Sequence, residues 1–228
     1  MSDVALVTGA GRGIGRATAL ALAARGLDVA LLARTVEEIE EVASRVVGLG
    51  RRALAVRCDV TSSREVGAAV ARAREELGVP RVVVCNAGVV RRARVDEMTE
   101  EDWDAVVDTN LKGTFLVARA ALGPMRAAGR GRVVCVSSIS GTLGTARQSA
   151  YCAAKWGVIG FTKSLAEELR GTGLAAISVL PGSVDTRMLV GSGYAAQMSA
   201  EDVARTIAWA ALDAPDAMNG SAIEMFGP

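Results

Sequence analysis

The chain has 228 residues, 50% of them hydrophobic, and a formal net charge of +1, which suits one well-buried domain, residues 1–228, and is short for two. With no long run of one sign, nucleic acid and an anionic membrane are excluded as main partners; no apolar run approaches the roughly 18 residues that span a bilayer, and Met1-Ser2-Asp3 leads directly into a strand, so a cytoplasmic protein without a secretory leader is expected. The absence of histidine removes Ser-His-Asp and Cys-His catalysis and every His-ligated metal site, which leaves proton transfer to Tyr, Lys, Asp, Glu or Cys.

Val4-Ala5-Leu6-Val7-Thr8 is a short apolar run that ends in Gly9-Ala10-Gly11-Arg12-Gly13-Ile14-Gly15, after which the pattern is helical through Arg25. Strand, glycine-rich turn and helix form the context of a dinucleotide phosphate site: glycines let backbone approach the pyrophosphate, and the helix N-terminus attracts its charge. The spacing G-x-x-x-G-x-G differs from the more general G-x-G-x-x-G, so the motif alone is weak. A second strand, Leu27 to Ala33, follows, and Thr35 with Glu38 reads as a capping box opening the next helix. The end of this second strand is where an acidic side chain accepts from a free ribose 2′-hydroxyl or an arginine pairs with a 2′-phosphate. The residues there are Ala33-Arg34, and with Arg12 they present two cations and no carboxylate, which favours NADP(H) over NAD(H).

Leu54-Ala55-Val56 is a third strand ending at Cys58-Asp59-Val60, with Ser62 and Glu65 capping the following helix. Asp59, at a strand's carboxyl end, reads either as an adenine contact or as the cap of its turn. Val82-Val83-Val84 is a fourth strand leading to Cys85-Asn86-Ala87-Gly88, where backbone passes close to a cofactor. Beyond it, Arg91-Arg92-Ala93-Arg94 is a basic cluster, open between a solvated loop and an anion-binding rim. Thr99 and Asp102 cap a helix carrying Trp103, Val106, Val107, Asn110 and Leu111. An asparagine inside a long helix is neutral to unfavourable because its amide competes for backbone bonds, so Asn110 asks for a reason.

The strand Val133-Val134-Cys135-Val136 delivers Ser138 to its carboxyl end, and the next helical stretch carries Tyr151 and Lys155, four apart and therefore one turn apart on one face. A cation beside a phenol favours the phenolate, so Lys155 is expected to bring Tyr151 down from about 10 toward working pH and make it an acid/base. A sixth strand, Ala175 to Leu180, ends in Pro181-Gly182; Ser199 and Asp202 cap a last helix, and Ser221 to Phe226 closes the chain. None of the four cysteines, Cys58, Cys85, Cys135 and Cys152, forms a C-x-x-C pair, which points to reduced core thiols rather than a disulfide or a metal. Apolar strands alternating with amphipathic helices, without hairpin signals, predict an α/β doubly wound Rossmann fold: one seven-stranded parallel sheet with helices on both faces.

Over essentially its full length the sequence resembles the short-chain dehydrogenase/reductase family. The motifs that carry the resemblance are T-G-A-G-R-G-I-G at Thr8 to Gly15, C-D-V at Cys58 to Val60, N-A-G at Asn86 to Gly88, N-L-K-G at Asn110 to Gly113, Ser138, Y-C-A-A-K at Tyr151 to Lys155 and P-G-S-V-D-T at Pro181 to Thr186. Its overall look is nearest to 3-oxoacyl-carrier-protein reductases. The resemblance implies a catalytic tetrad in which Ser138 holds a substrate carbonyl and Tyr151 exchanges its proton, with Lys155 lowering the phenol and holding the nicotinamide ribose and Asn110 anchoring a proton relay. It implies a cofactor site of Gly9, Gly11, Arg12, Gly13, Ile14, Gly15, Arg34, Asp59, Val60, Asn86, Ala87, Gly88, Tyr151, Lys155, Pro181, Gly182, Val184 and Thr186, no metal, a small-molecule carbonyl or alcohol as substrate, and a homotetramer or homodimer. Two departures stand out: Cys85 replaces a common asparagine, and the segment between Thr186 and Ser199 is shorter than the substrate lid of many relatives.

Overall fold

Seven strands, β1 (Val4–Thr8), β2 (Asp28–Ala33), β3 (Ala53–Arg57), β4 (Pro80–Cys85), β5 (Gly131–Val136), β6 (Leu174–Pro181) and β7 (Ala222–Met225), form one sheet in the order β3-β2-β1-β4-β5-β6-β7, and every neighbouring pair is parallel. This computed structural model describes residues 2–227; Met1 and Pro228, the two ends of the domain read from sequence, lie outside the described residues. Parallel neighbours cannot be joined by a tight turn, so each connection carries a helix back across a face. The helices are α1 (Gly13–Ala24), α2 (Val36–Gly48), α3 (Ser63–Glu76), α4 (Glu100–Val107), α5 (Gly113–Ala128), α6 (Ser149–Glu168) and α7 (Ala200–Leu212).

Side chains of a strand alternate between faces, and here both faces are dry. Ala5 and Val7 of β1 join Leu22 of α1, Ile39 and Val42 of α2 and Val203 and Ile207 of α7 in one core layer. Val4 and Leu6 join Val66 and Val70 of α3, Leu116 and Met125 of α5 and Val158 and Leu165 of α6 in the other. That explains why the strands read as continuous apolar runs. Cys58, Cys85 and Cys135 are buried free thiols and Cys152 is half-buried, as expected. Among the described residues no helix is long and apolar enough to cross a membrane, and no group of three metal-ligating side chains gathers.

The helix starts follow the expected caps with one exception. Ser62 accepts from Glu65 N, Thr99 from Asp102 N, and Ser199 with Asp202 completes a reciprocal box. Thr35 precedes α2 without a side-chain cap. Its expected partner Glu38 instead turns to Arg12, with oxygens 3.1 and 3.4 Å from Nη1. A charge-assisted pair competes successfully with a neutral cap at an exposed helix start.

Between β1 and β4 the strand order reverses, because the chain winds outward to β3 and then returns to the far side of β1. The loops leaving these strands diverge and open a crevice at their carboxyl ends. Thr8 and Asn86 bind its floor together: Thr8 Oγ1 accepts from Asn86 N at 3.0 Å and Ala87 N at 3.1 Å, while Asn86 Nδ2 donates to Thr8 O at 2.9 Å.

Candidate active site

One continuous cleft of about 940 Å³ runs along the carboxyl ends of the strands, at the upper end of the volumes typical of small-molecule and cofactor sites. Its first wall is the turn from β1 to α1. Gly9 and Gly13 hold φ of +63° and +50°, a region that side chains with a Cβ rarely enter. At Gly15 the constraint is space: a Cβ there would lie 2.1 Å from Gly9 O and 2.6 Å from Asn86 Nδ2. α1 carries no acidic residue in its own first turn, so none of its own side chains offsets the positive end of its dipole. Bare backbone, a free helix N-terminus and closely packed neighbours fit a pyrophosphate group.

The adenosine end corrects the expectation of two cations without a carboxylate. Glu38 lines the cleft and is paired with Arg12, so one of the two cations is already partnered. Arg34, exposed at the end of β2, forms no ion pair among the described residues. Asp59 also lines the cleft and resolves as the cap of its own turn, its Oδ1 accepting from Thr61 N at 2.9 Å and Thr61 Oγ1 at 2.8 Å. Burial pushes its carboxyl up, but those bonds and the charges of Arg34 and Arg57 hold it below the usual range.

Ser138 leaves β5 at the cleft, where its hydroxyl donates to Pro181 O at 3.4 Å and accepts from Ser140 N at 3.1 Å. Tyr151, 8% exposed, and Lys155, 4% exposed, reach the same wall from the first turns of α6. The lysine ammonium donates to Val136 O at 2.8 Å and lies 5.5 Å from the Tyr151 ring centroid. Seated over the ring and bonded to β5, it does not produce the expected lowering of the phenol. Burial instead pushes Tyr151 up to about 12, against the pull of the nearby Ser138 hydroxyl, with Cys152 adding to the rise and the Arg92 charge opposing it. Burial also brings Lys155 down to about 8, Cys135 acting in the other direction.

Asn110 is fully buried and stands behind the cleft wall rather than in it. Its reason for being in a helix is a π-helical turn, Asp108–Lys112, that joins α4 to α5. Such turns widen the helix and cluster at functional sites. Here the Asn110 amide donates to Val89 O and Val106 O, both at 2.8 Å, and Oδ1 is left buried without a partner. A Cβ on Gly88 would meet that oxygen at 2.6 Å and Lys155 Nζ at 3.7 Å. Asn110 therefore shapes the Asn86-Ala87-Gly88 backbone from behind, beside the lysine.

The remaining cofactor positions, Ile14, Val60, Asn86, Ala87, Gly88, Pro181, Gly182, Val184 and Thr186, all line the cleft. The short segment after Thr186 still covers it: a single helical turn, Arg187–Leu189, brings Met188 Sδ within 3.9 Å of the Tyr151 hydroxyl, and Val184 bridges to Met198. Sequence reasoning missed Gln148, Met188 and Tyr194 as cleft residues and placed Glu38 in a cap. Only Gln148, three residues before Tyr151 at the N-cap of α6, carried a spacing signal.

Comparison with known proteins adds to this geometry. The family model described as short chain dehydrogenase matches residues 3–195. A 3-oxoacyl-[acyl-carrier-protein] reductase of Synechocystis is 40% identical over 188 residues, 82% of this chain and 76% of the relative. A cis-4-hydroxycyclohexanecarboxylate dehydrogenase of Sinomonas cyclohexanicum is 39% identical over 98% of this chain and 95% of its own. The crystal structure of a short-chain type dehydrogenase/reductase from Mycobacterium marinum superimposes with a TM-score of 0.94 at 33% identity, covering 99% of this chain and 94% of that one.

Proposed function

Because the chain belongs to the short-chain dehydrogenase family, and is thus an oxidoreductase acting on CH–OH and C=O groups, we propose that it works with NADP(H) on a small carbonyl or secondary alcohol. The observation that carries the reading is the convergence of Ser138, Tyr151 and Lys155 on the cleft that the glycine turn also lines. Gly9, Gly11, Arg12, Gly13, Ile14 and Gly15 would hold the pyrophosphate, Arg34 the adenosine 2′-phosphate, and Asn86, Ala87, Gly88, Pro181, Gly182, Val184 and Thr186 the nicotinamide half. The chemistry that a nicotinamide supplies when bound is hydride exchange at the carbonyl carbon. Ser138 Oγ, fixed by Ser140 N, orients the carbonyl oxygen. Tyr151 Oη gives that oxygen its proton in reduction and takes it back in oxidation. A hydroxyl held at about 12 keeps its proton at neutral pH, the form that carbonyl reduction uses. Lys155, locked by Val136 O with its ammonium over the Tyr151 ring, would hold the nicotinamide ribose.

An oxoacyl thioester is one substrate class, supported by the names of several relatives. A second reading, an NAD(H)-preferring dehydrogenase of a small or cyclic alcohol, draws on Glu38 at the adenosine end and on the hydroxycyclohexanecarboxylate dehydrogenase among the relatives. Initial rates on a panel of ketones, oxoacyl thioesters and alcohols with each cofactor, followed by nicotinamide absorbance, separate the two. Absence of turnover with either cofactor across the panel overturns the proposal.

A further inference from the structure

The loop between Gly88 and Thr99 carries three arginines, and two of them are satisfied. Arg91 Nε lies 2.9 Å from Asp102 and Arg94 Nη2 lies 3.0 Å from Asp96. Arg92 differs. It is half-buried, lines the cleft, and forms no ion pair among the described residues. Its Nη2 donates to Met188 O at 2.8 Å and its Nη1 reaches Val190 O at 3.4 Å. Its Nε is sealed from solvent and has no acceptor. A guanidinium carries five N–H groups, so three remain unspent, the Nε–H among them.

The place of this cation narrows its use. The residue whose carbonyl it grips, Met188, lays its sulfur 3.9 Å from the Tyr151 hydroxyl, and the Arg92 charge is felt at that phenol. A guanidinium at the substrate end of the cleft, away from the Arg12 and Arg34 end, is not needed for a dinucleotide. Nη1 and Nη2 each keep one unspent N–H after their bonds to Val190 O and Met188 O, and the planar fork of arginine matches a carboxylate with two parallel hydrogen bonds.

We propose that Arg92 anchors a carboxylate carried by the substrate, so that the enzyme's substrates are small oxo or hydroxy acids. This rests on the oxidoreductase reading and specifies it. In the oxidative direction the hydroxyl-bearing carbon is oxidised to a carbonyl, its hydride passing to the nicotinamide and its hydroxyl proton to Tyr151; the carboxylate is unchanged and serves only to hold the molecule. An uncharged acyl thioester would leave the remaining Nη1–H and Nη2–H without a matching anion.

Matched acid and methyl ester pairs test this: 4-oxocyclohexanecarboxylate with its ester and 4-oxopentanoate with its ester, kcat/KM measured for each with NADPH and with NADH. The wild type is expected to favour at least one acid over its ester by tenfold or more, and Arg92→Ala to cut that acid-to-ester ratio at least tenfold, chiefly through the KM of the acid. Arg92→Lys, which keeps the charge and loses the fork, should retain part of the ratio and guards against a folding defect in the alanine variant. An ester turned over as well as its acid in both pairs, or a ratio that Arg92→Ala leaves unchanged because acid and ester fall together, would show a strap for the Met188–Val190 backbone only and overturn the proposal. Absence of all turnover would sink the oxidoreductase reading instead. Calorimetric titration of the two acids into cofactor-saturated Tyr151→Phe protein then decides: binding weakened tenfold by adding Arg92→Ala upholds the anchor, and no binding, or binding indifferent to Arg92, rejects it.

Discussion

Replacing Arg34 by alanine isolates the determinant of cofactor choice. A 2′-phosphate carries close to two negative charges at neutral pH, and a guanidinium can meet it with two charge-assisted hydrogen bonds. Such bonds contribute about 1.5–3 kcal/mol each when well shielded, but Arg34 is exposed at the end of β2, so solvent and salt reduce the pair to roughly the lower end of one bond. At about 1.4 kcal/mol per power of ten, the expected loss is about tenfold in NADPH affinity. Arg12 is a poor substitute because Glu38 holds it at 3.1 Å. NADH has no 2′-phosphate, so its KM should stay within about twofold. Glu38→Gln should act oppositely: it removes a carboxylate from the adenosine end and frees Arg12, improving NADPH binding about three- to tenfold. Ala33→Asp should go further than Arg34→Ala, since a carboxylate there repels phosphate and accepts from a free ribose hydroxyl. The assay is KM for both cofactors against one ketone. A wild type that prefers NADH, or an Arg34→Ala variant that weakens both cofactors equally, refutes the reasoning.

Tyr151→Phe should lower kcat at least a hundredfold while cofactor affinity, read by fluorescence titration, changes little, because the ring stays and only the proton donor is lost; a rate above about a tenth of wild type removes the acid/base role. With the Tyr151 hydroxyl pushed up to about 12 and Lys155 brought down to about 8, carbonyl reduction should be nearly flat from pH 6 to 7, below the lysine's titration, while alcohol oxidation, which needs the phenolate, should rise over that range by up to about tenfold per pH unit; a plateau in oxidation below pH 7 would contradict that protonation state. Phe115 and Trp156 are 40% and 55% exposed on α5 and α6, with Phe115 edge-on to Phe161 at 6.3 Å, an apolar face broader than the sheet uses. Light scattering at micromolar concentration is expected to give a dimer or tetramer that Trp156→Glu dissociates, and a monomeric wild-type mass contradicts it.

The sequence by itself determined the elements and their order. Buried parallel strands need apolar residues on both faces, helices between them need one apolar face, and these two periodicities are local properties of the chain. Glycines at positions 9, 13 and 15 were legible for the same reason: a positive φ or a missing Cβ leaves a residue-type signature wherever backbone must pass close to backbone. The spacing of Tyr151 and Lys155 placed both on one helical face, and they do share a wall of the cleft. Tertiary structure decided what these groups do to one another. Whether Glu38 caps α2 or grips Arg12 depends on how near the glycine turn passes, which no spacing within α2 encodes. Whether Lys155 lowers the phenol depends on where its ammonium finds an acceptor, and Val136 O on β5 supplies one. Asn110 looked like an anomaly inside a helix until the loop carbonyl of Val89 arrived to accept from it. Arg92 could not be told from Arg91 and Arg94 in the sequence, because all three sit in one basic cluster; burial and the positions of Asp102 and Asp96 separate them, and electrostatic partnership is a matter of distance through space.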